Sequence, residues 1–258
     1  MNNNFLDPIP YTLYPASGAF ESIRSYDGKI FCLDEHVKRL YDSCRSLSIK
    51  IDSSPLKIKN MVKDVLTKSK IKNAYIRISA QSDGKIDVIV KEFKPYPENY
   101  FKNGVKVMTV PEARNIHTAL DPKIKSSDFL NGILAKISTQ KDDIFEAIIL
   151  NSDGFVAECT VSNIFMVKDK KLFTPAPYSG ILEGVTRKVV LDLAKKSGIK
   201  TQQTIFTRHD LYNADEVFLT NTSVEIMPVV EIDKRAISGA RPGEITKKLS
   251  DKFKMEVK

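Results

Sequence analysis

The pair Asp27-Gly28 does most to narrow what this chain can fold into. It stands between two runs of strand character, residues 22–26 and 29–33, and supplies the two residues that a tight hairpin turn demands. Glycine adopts the positive φ of such turns at no steric cost, and aspartate tolerates it. The same punctuation returns along the chain. Ser82-Asp83-Gly84 separates expected strands over 74–80 and 86–93, Asn151-Ser152-Asp153-Gly154 turns an expected hairpin over 147–157, and Asp169-Lys170-Lys171 joins 164–167 to 172–174. Further apolar runs at 105–110, 216–220 and 227–232 read as strands.

Helices are expected between these strands. Asp34 can cap a helix whose apolar positions Val37, Leu40, Tyr41, Cys44 and Leu47 repeat at helical spacing. Leu56, Ile58, Met61, Val62, Val65 and Leu66 suggest a second helix, and residues 130–140 a third. A helix opening at Val185 carries Val189, Val190, Leu193 and Ala194 inward and stops at Gly198, and 242–253 closes the chain as another. The polar run Lys94-Pro95-Tyr96-Pro97-Glu98-Asn99 contains two prolines, each biasing the residue before it away from helix, and so marks a linker. The expected fold class is α+β in two domains: a small one over 1–99 and a larger β-rich one with packed helices over 100–258. A chain of 258 residues, 42% of them hydrophobic, can bury a core in each.

The net charge of +8, from 40 Lys and Arg against 32 Asp and Glu, raises a nucleic-acid reading. That reading needs a concentrated basic patch with aromatic interleaving, whereas these lysines are spread through every segment, so no nucleic-acid partner is expected. The longest apolar runs, 147–150 and 86–90, are of strand length, far short of the roughly 20 residues that a membrane span requires. The first eight residues show no basic region followed by an apolar block. Neither a membrane nor secretion is therefore expected, and the cytoplasm is the default. Cys32, Cys44 and Cys159 are odd in number and lack CxxC spacing, and His36, His117 and His209 are scattered singly, so neither a disulfide framework nor a metal centre is expected.

Three groups between residues 125 and 187 follow one another in an order that suits a particular chemistry. Lys-Ser-Ser-Asp-Phe-Leu-Asn over 125–131 offers an amine, Glu-Cys-Thr-Val-Ser-Asn-Ile-Phe over 158–165 a carboxylate, and Gly-Ile-Leu-Glu-Gly-Val-Thr-Arg over 180–187 a helix N-terminus. An amine can bond to the aldehyde of pyridoxal 5'-phosphate and then shuttle a proton. A carboxylate can keep the pyridine nitrogen protonated, and a helix N-terminus can take a phosphate on its free N–H groups. A lone lysine says little in a chain so rich in them, and Lys123 is a rival two residues from Lys125. Straight alternation turns Glu158 and Thr160 to one face, and an exposed strand position is expected for Glu146.

Together these segments resemble the class IV aminotransferases, a family that includes the branched-chain aminotransferases, the D-amino acid transaminases and aminodeoxychorismate lyase. The resemblance runs from Gly18 onward. It implies the two-domain fold of that family, a pyridoxal 5'-phosphate cofactor, amino acid and 2-oxo acid substrates, and a homodimer with its sites near the subunit interface. By resemblance Lys125 is the catalytic lysine, Glu158 faces the ring nitrogen within a cofactor segment that includes Ser162 and Asn163, and Val185 and Thr186 bind phosphate with Thr222. Arg39, in a His-x-x-Arg-Leu segment that starts at His36, can clamp the phosphate bidentately as a lysine could not. His36 and Arg187 are expected to be structural. Phe20 in Gly-x-Phe-Glu-x-x-Arg, and Tyr75 and Arg77 in Tyr-x-Arg, resemble the substrate pocket of branched-chain enzymes, with Ser223 in the turn that faces the substrate.

Three departures bear on that pocket. The amino end is short, so residues 11–17 stand in for a longer segment. Thr-Asn-Thr-Ser over 220–223 replaces Thr-Gly-Thr-Ala, and Phe129 stands where many branched-chain enzymes have a tyrosine. The leading expectation is transamination of a branched-chain L-amino acid to 2-oxoglutarate. A D-amino acid transaminase and aminodeoxychorismate lyase are the nearest alternatives, and a cofactor-free basic binding protein of the same fold is the remote one.

Overall fold

The computed structural model describes residues 18–116, 120–127, 130–139 and 143–258; residues 11–17, His117 and Phe129 lie outside them. β1 (Gly18–Tyr26) and β2 (Lys29–Ile30) meet at the expected turn, where Asp27 has φ 45° and Gly28 φ 84°. Two successive positive φ values are what a hairpin matched to the strand twist requires. β2 is shorter than expected because Cys32 turns left-handed (φ 51°, ψ 39°) and α1 (Leu33–Ser46) begins directly after it. Asp34 is therefore not the cap; it lies with Glu35 in the first turn, where negative charge suits the helix dipole. α2 (Pro55–Ser69) starts as its sequence dictates, with Ser54 accepting from the Lys57 N–H at 3.2 Å and proline at the first position.

β3 (Ala74–Gln81) and β4 (Ile86–Glu92) complete an antiparallel sheet of order β2-β1-β3-β4. One face buries Ala19, Ile23, Ile76 and Ile78 against Val37 and Leu40 of α1 and Ile58 and Val62 of α2. The β1–β3 register opposes Phe20 to Ser79, Ser22 to Arg77 and Arg24 to Tyr75. Side chains opposed across strands share a face, so these six lie on the side away from the helices.

The remaining helices are α3 (Glu98–Asn103), α4 (Leu130–Thr139), α5 (Val185–Lys196), α6 (Arg208–Tyr212) and α7 (Glu244–Glu256). α3 begins inside the run read as a linker: Pro97 sits at the cap, where a missing N–H has no helical partner to lose. The strands are β5 (Val105–Ala113), β6 (Glu146–Leu150), β7 (Val156–Cys159), β8 (Asn163–Lys168), β9 (Lys171–Pro175), β10 (Thr201–Thr204), β11 (Glu216–Asn221), β12 (Glu225–Ile232) and β13 (Arg235–Ala236). They form one sheet ordered β10-β9-β8-β11-β12-β5-β6-β7, with β13 beside β12. Polar β10 has no apolar alternation to announce it and joins β9 through its backbone.

Strand alternation divides this sheet between two cores. Ile164 and Met166 pack with Leu219, Met227 and Val229, whereas Phe165, Val167 and Phe218 pack under Val190 and Leu193 of α5 and Leu249 and Phe253 of α7. Phe165 and Phe218 stack with centroids 4.9 Å apart, and burying each such side chain contributes about 1.5–3 kcal/mol. Ala135 of α4 packs on Val110, Ala147 and Ile149.

β1 is the seam between the sheets. Arg24 Nη1 donates to Glu225 at 2.7 Å, the Tyr26 hydroxyl to the same carboxylate at 3.0 Å, and the Thr222 hydroxyl to Ser22 O at 3.0 Å. At its other end, Phe20 N–H donates to Lys125 O at 3.0 Å and Ser127 N–H to Gly18 O at 2.8 Å. No helix among the described residues is long and apolar enough to cross a membrane.

Candidate active site

The segment that pairs with the start of β1 carries Lys125. Its backbone N–H donates to the Ser43 hydroxyl of α1 at 3.0 Å, and its amine lies 4.8 Å from the centroid of the Phe20 ring. Burial, helped by the positive charge of Arg39, pushes this amine down to about 8, against the pull of Glu21 and Glu158. Lys123 is half exposed, and its amine lies 3.7 Å from Glu183. An amine lowered in this way carries more of its neutral form near neutral pH than an ordinary lysine does, which makes Lys125 the candidate nucleophile.

Glu158, on β7, is 6% exposed, and every bond it makes holds it in one orientation. Arg114 Nη2 lies 2.6 Å from Oε1, while Oε2 accepts from Leu182 N–H at 3.0 Å and Asn163 Nδ2 at 3.1 Å. Burial pushes this carboxyl up, and Arg114 with the Leu182 N–H opposes it. Arg114 also donates to Gly180 O at 3.2 Å, so one guanidinium fastens the acid to the 180–182 turn. Sequence reasoning missed Arg114, which lies at the end of β5 with no local motif around it.

Two of the groups expected to bind phosphate, the start of α5 and Arg39 of α1, lie next to each other. No side chain caps α5, because its N-cap is Gly184; a Cβ there would come within 2.2 Å of Asn163 Oδ1. Its first N–H groups, with buried Val185 and Thr186, therefore form an anion-type helix N-terminus. Arg39 spends three N–H groups on protein: Nε and Nη2 on Glu21 at 2.7 and 2.6 Å, and Nη1 on Glu183 O at 3.1 Å. Of the five a guanidinium carries, two remain for a ligand.

Glu21 is the second missed residue. It lies on the helix-facing side of β1 with 0% exposure, also receiving His36 Nδ1 at 2.7 Å. Burial alone would push its carboxyl up, but the charge of Arg39 and the bonds from Arg39 and His36 outweigh this and bring it down to about 2. His36 is thus a buried partner of Glu21. Arg187 points elsewhere, donating to Pro175 O at 2.9 Å and Gln203 at 2.8 Å.

Ser162 and Asn163 spend their donors on protein groups. Ser162 donates to Glu146 at 2.7 Å, and Asn163 Nδ2 divides between Glu158 and Leu182 O at 2.8 Å. Thr222 gives its hydroxyl hydrogen to Ser22 O, so that hydroxyl is not the donor expected for a phosphate. Ser223 N–H donates to Asn221 Oδ1 at 2.7 Å. Thr160 does not share Glu158's surroundings: β7 stops at Cys159, and in the bend that follows the Thr160 hydroxyl bonds Glu146 at 3.1 Å. Glu146 itself has 0% exposure, which overturns the expected exposed position.

On the face of β1 and β3 turned away from the helices, the Arg77 guanidinium stacks 3.9 Å from the Phe20 centroid, and Tyr75 and Ser22 share a hydrogen bond of 2.7 Å. Phe20 and Arg77 are thus brought together beside Lys125, and Tyr75 lies further along the same face against Ser22.

The family model described as amino-transferase class IV matches residues 18–232. The chain belongs to the class IV aminotransferases. A Methanocaldococcus jannaschii protein provisionally named a branched-chain-amino-acid aminotransferase is 40% identical, covering 98% of this chain and 94% of that one. The D-alanine aminotransferase of Listeria monocytogenes 10403S is 32% identical, covering 93% of this chain and 86% of that one. Among solved structures, the T.th. branched-chain amino acid aminotransferase with pyridoxamine 5'-phosphate superposes with a TM-score of 0.90 at 30% identity, covering 100% of this chain and 91% of that one.

Class IV aminotransferases use pyridoxal 5'-phosphate, and the residues of this aminotransferase fit that group. A buried acid, a depressed amine and an uncapped helix match its nitrogen, aldehyde and phosphate. One orphaned atom adds to the fit. Thr220 Oγ1 is buried with no partner in a residue 1% exposed, and the register opposes Thr220 to Asn163, so its hydroxyl shares the face that carries Glu158's partner.

Proposed function

We propose that the protein transfers the amino group of a branched-chain L-amino acid to 2-oxoglutarate. The observation that carries this reading is the Phe20 ring, which has the Lys125 amine at 4.8 Å and the Arg77 guanidinium at 3.9 Å. An aromatic wall suits an aliphatic side chain, and an arginine on the same wall suits the second carboxylate of the acceptor. Bound pyridoxal 5'-phosphate supplies the electron sink that lets the α-carbon proton leave. In this reading Lys125 Nζ removes that proton and returns it on the other side of the transfer. Glu158 holds a proton at the ring nitrogen, while Arg39, Val185, Thr186 and the Thr222 N–H grip the phosphate. Tyr75 and Ser223 orient the substrate. Assayed with 2-oxoglutarate, L-leucine is expected to exceed D-alanine in kcat/KM by at least about tenfold, the scale at which pockets separate such side chains. Faster turnover of D-alanine, or elimination from aminodeoxychorismate, would sink the proposal.

The reading extends to a cytoplasmic homodimer with domains over 1–99 and 100–258 meeting at the site. Unpaired Cys32, Cys44 and Cys159 suit a reducing compartment. On α4, directly after the lysine segment, Leu130, Leu134 and Ile137 are 59%, 44% and 53% exposed at helical spacing, a stripe that a second copy can cover. Sedimentation is expected to give a dimer that Leu134→Asp converts to monomer. A monomeric wild type at micromolar concentration defeats this part.

A further inference from the structure

Glu146 takes no part in the chemistry described so far, yet it is as buried as any of the described residues. Three donors face its carboxylate: Val161 N–H at 2.7 Å and the Thr160 hydroxyl at 3.1 Å on Oε1, and the Ser162 hydroxyl at 2.7 Å on Oε2. A carboxylate accepts and never donates, so Ser162 must give its hydrogen to Glu146. The Ser162 oxygen is then left to accept, and Asn221 Nδ2 donates to it at 2.9 Å. The Asn221 amide must therefore turn its Nδ2 to Ser162. Its Oδ1 is turned to the N–H groups of Ser223 and Val224 at 2.7 and 2.8 Å, which folds the 221–224 turn around the Thr222 backbone. With the amide reversed, Nδ2 would meet two N–H donors. The buried carboxylate at one end and the two backbone N–H groups at the other call for the same polarity in the Ser162 and Asn221 bonds between them.

We propose that Glu146 is a positioning residue: through Ser162 and Asn221 its carboxylate sets the polarity of the turn that presents the Thr222 N–H to the cofactor phosphate. The same bonds pin residues 160–162, directly after Glu158, so the acid and the phosphate turn are held as one unit. This rests on the proposed phosphate role of Thr222.

The test is a reversal of polarity, read as the affinity of the apoprotein for pyridoxal 5'-phosphate and for pyridoxal, which lacks the phosphate. In Asn221→Asp two carboxylates compete for one hydroxyl hydrogen, and affinity for pyridoxal 5'-phosphate is expected to fall by about tenfold or more, with pyridoxal affected far less. Adding Glu146→Gln lets the new amide donate to Ser162, whose hydroxyl can then donate to the carboxylate introduced at position 221. The double variant is expected to recover most of the loss. Charge alone predicts that Glu146→Gln by itself tightens binding of an anionic cofactor, whereas the network predicts weaker binding. Ser162→Ala cuts the network with no change of charge and is expected to repeat the selective loss. Additive losses in the double variant, or tighter binding by Glu146→Gln, overturn the proposal. A wild type that holds pyridoxal as firmly as its phosphate ester instead removes the phosphate role of Thr222, and the proposal with it.

Discussion

Lys125→Ala is expected to leave a folded protein that no longer holds pyridoxal 5'-phosphate covalently and transaminates at least about 10⁴-fold more slowly. In the proposed reaction the lysine is needed twice, as the nucleophile that anchors the cofactor and as the base that moves the α-carbon proton, and a positioned base alone contributes about 10²–10⁴-fold. The depressed amine adds a pH signature. An ordinary lysine, at 10.5, is almost wholly protonated at pH 8, whereas Lys125, pushed down to about 8, is about half neutral there. The rate at which apoprotein takes up the cofactor should therefore climb as pH rises through about 8 and then level off. Linkage has the same sign. Between 8 and 10.5 the unfolded lysine binds more proton than the folded one, so this group makes the apoprotein more stable as pH rises through that window. Absorbance of the bound cofactor, followed against pH, reads the first effect. Borohydride reduction and peptide mapping should place the label on Lys125, and a label on Lys123 would reverse the assignment.

The parts of this protein that were legible in its sequence are those fixed by neighbours in the chain. Asp27-Gly28 announced its hairpin because turn geometry is local, and the order of Lys125, Glu158 and Val185-Thr186 announced the family because each lies in a motif of its own. What stayed hidden depends on residues far apart. Arg114 meets Glu158 only because β5 and β7 flank β6 in the sheet, and nothing near Arg114 tells of it. Glu21 stood inside a quoted motif, but its value as an anchor appears only when α1 carries His36 and Arg39 over β1. Glu146 was misread for a related reason. Alternation says which way a strand side chain points and not what doubles back to cover it, and here the bend at 160–162 does so.

Glu158→Gln is the other change of large effect, and it separates charge from shape. Glutamine has nearly the same volume and can still accept from the Leu182 N–H, so the turn at 180–182 and the buried cluster should survive. The negative charge is lost. An ion pair at about 4 Å in an effective dielectric of about 20 contributes on the order of 4 kcal/mol before desolvation, and a loss of that size slows the chemical step by about 10³-fold. Arg114, 2.6 Å from the carboxylate in the wild type, makes matters worse, because its charge is then opposed by no partner and disfavours a protonated ring nitrogen. The loss should fall on kcat and on kcat/KM alike, since ring protonation matters most when the substrate's electrons enter the ring. Adding Arg114→Met should recover stability, by removing an unpaired buried charge, while leaving kcat low. A Glu158→Gln enzyme within tenfold of wild-type kcat would mean that the buried acid serves the fold alone and that the ring nitrogen is held by other means.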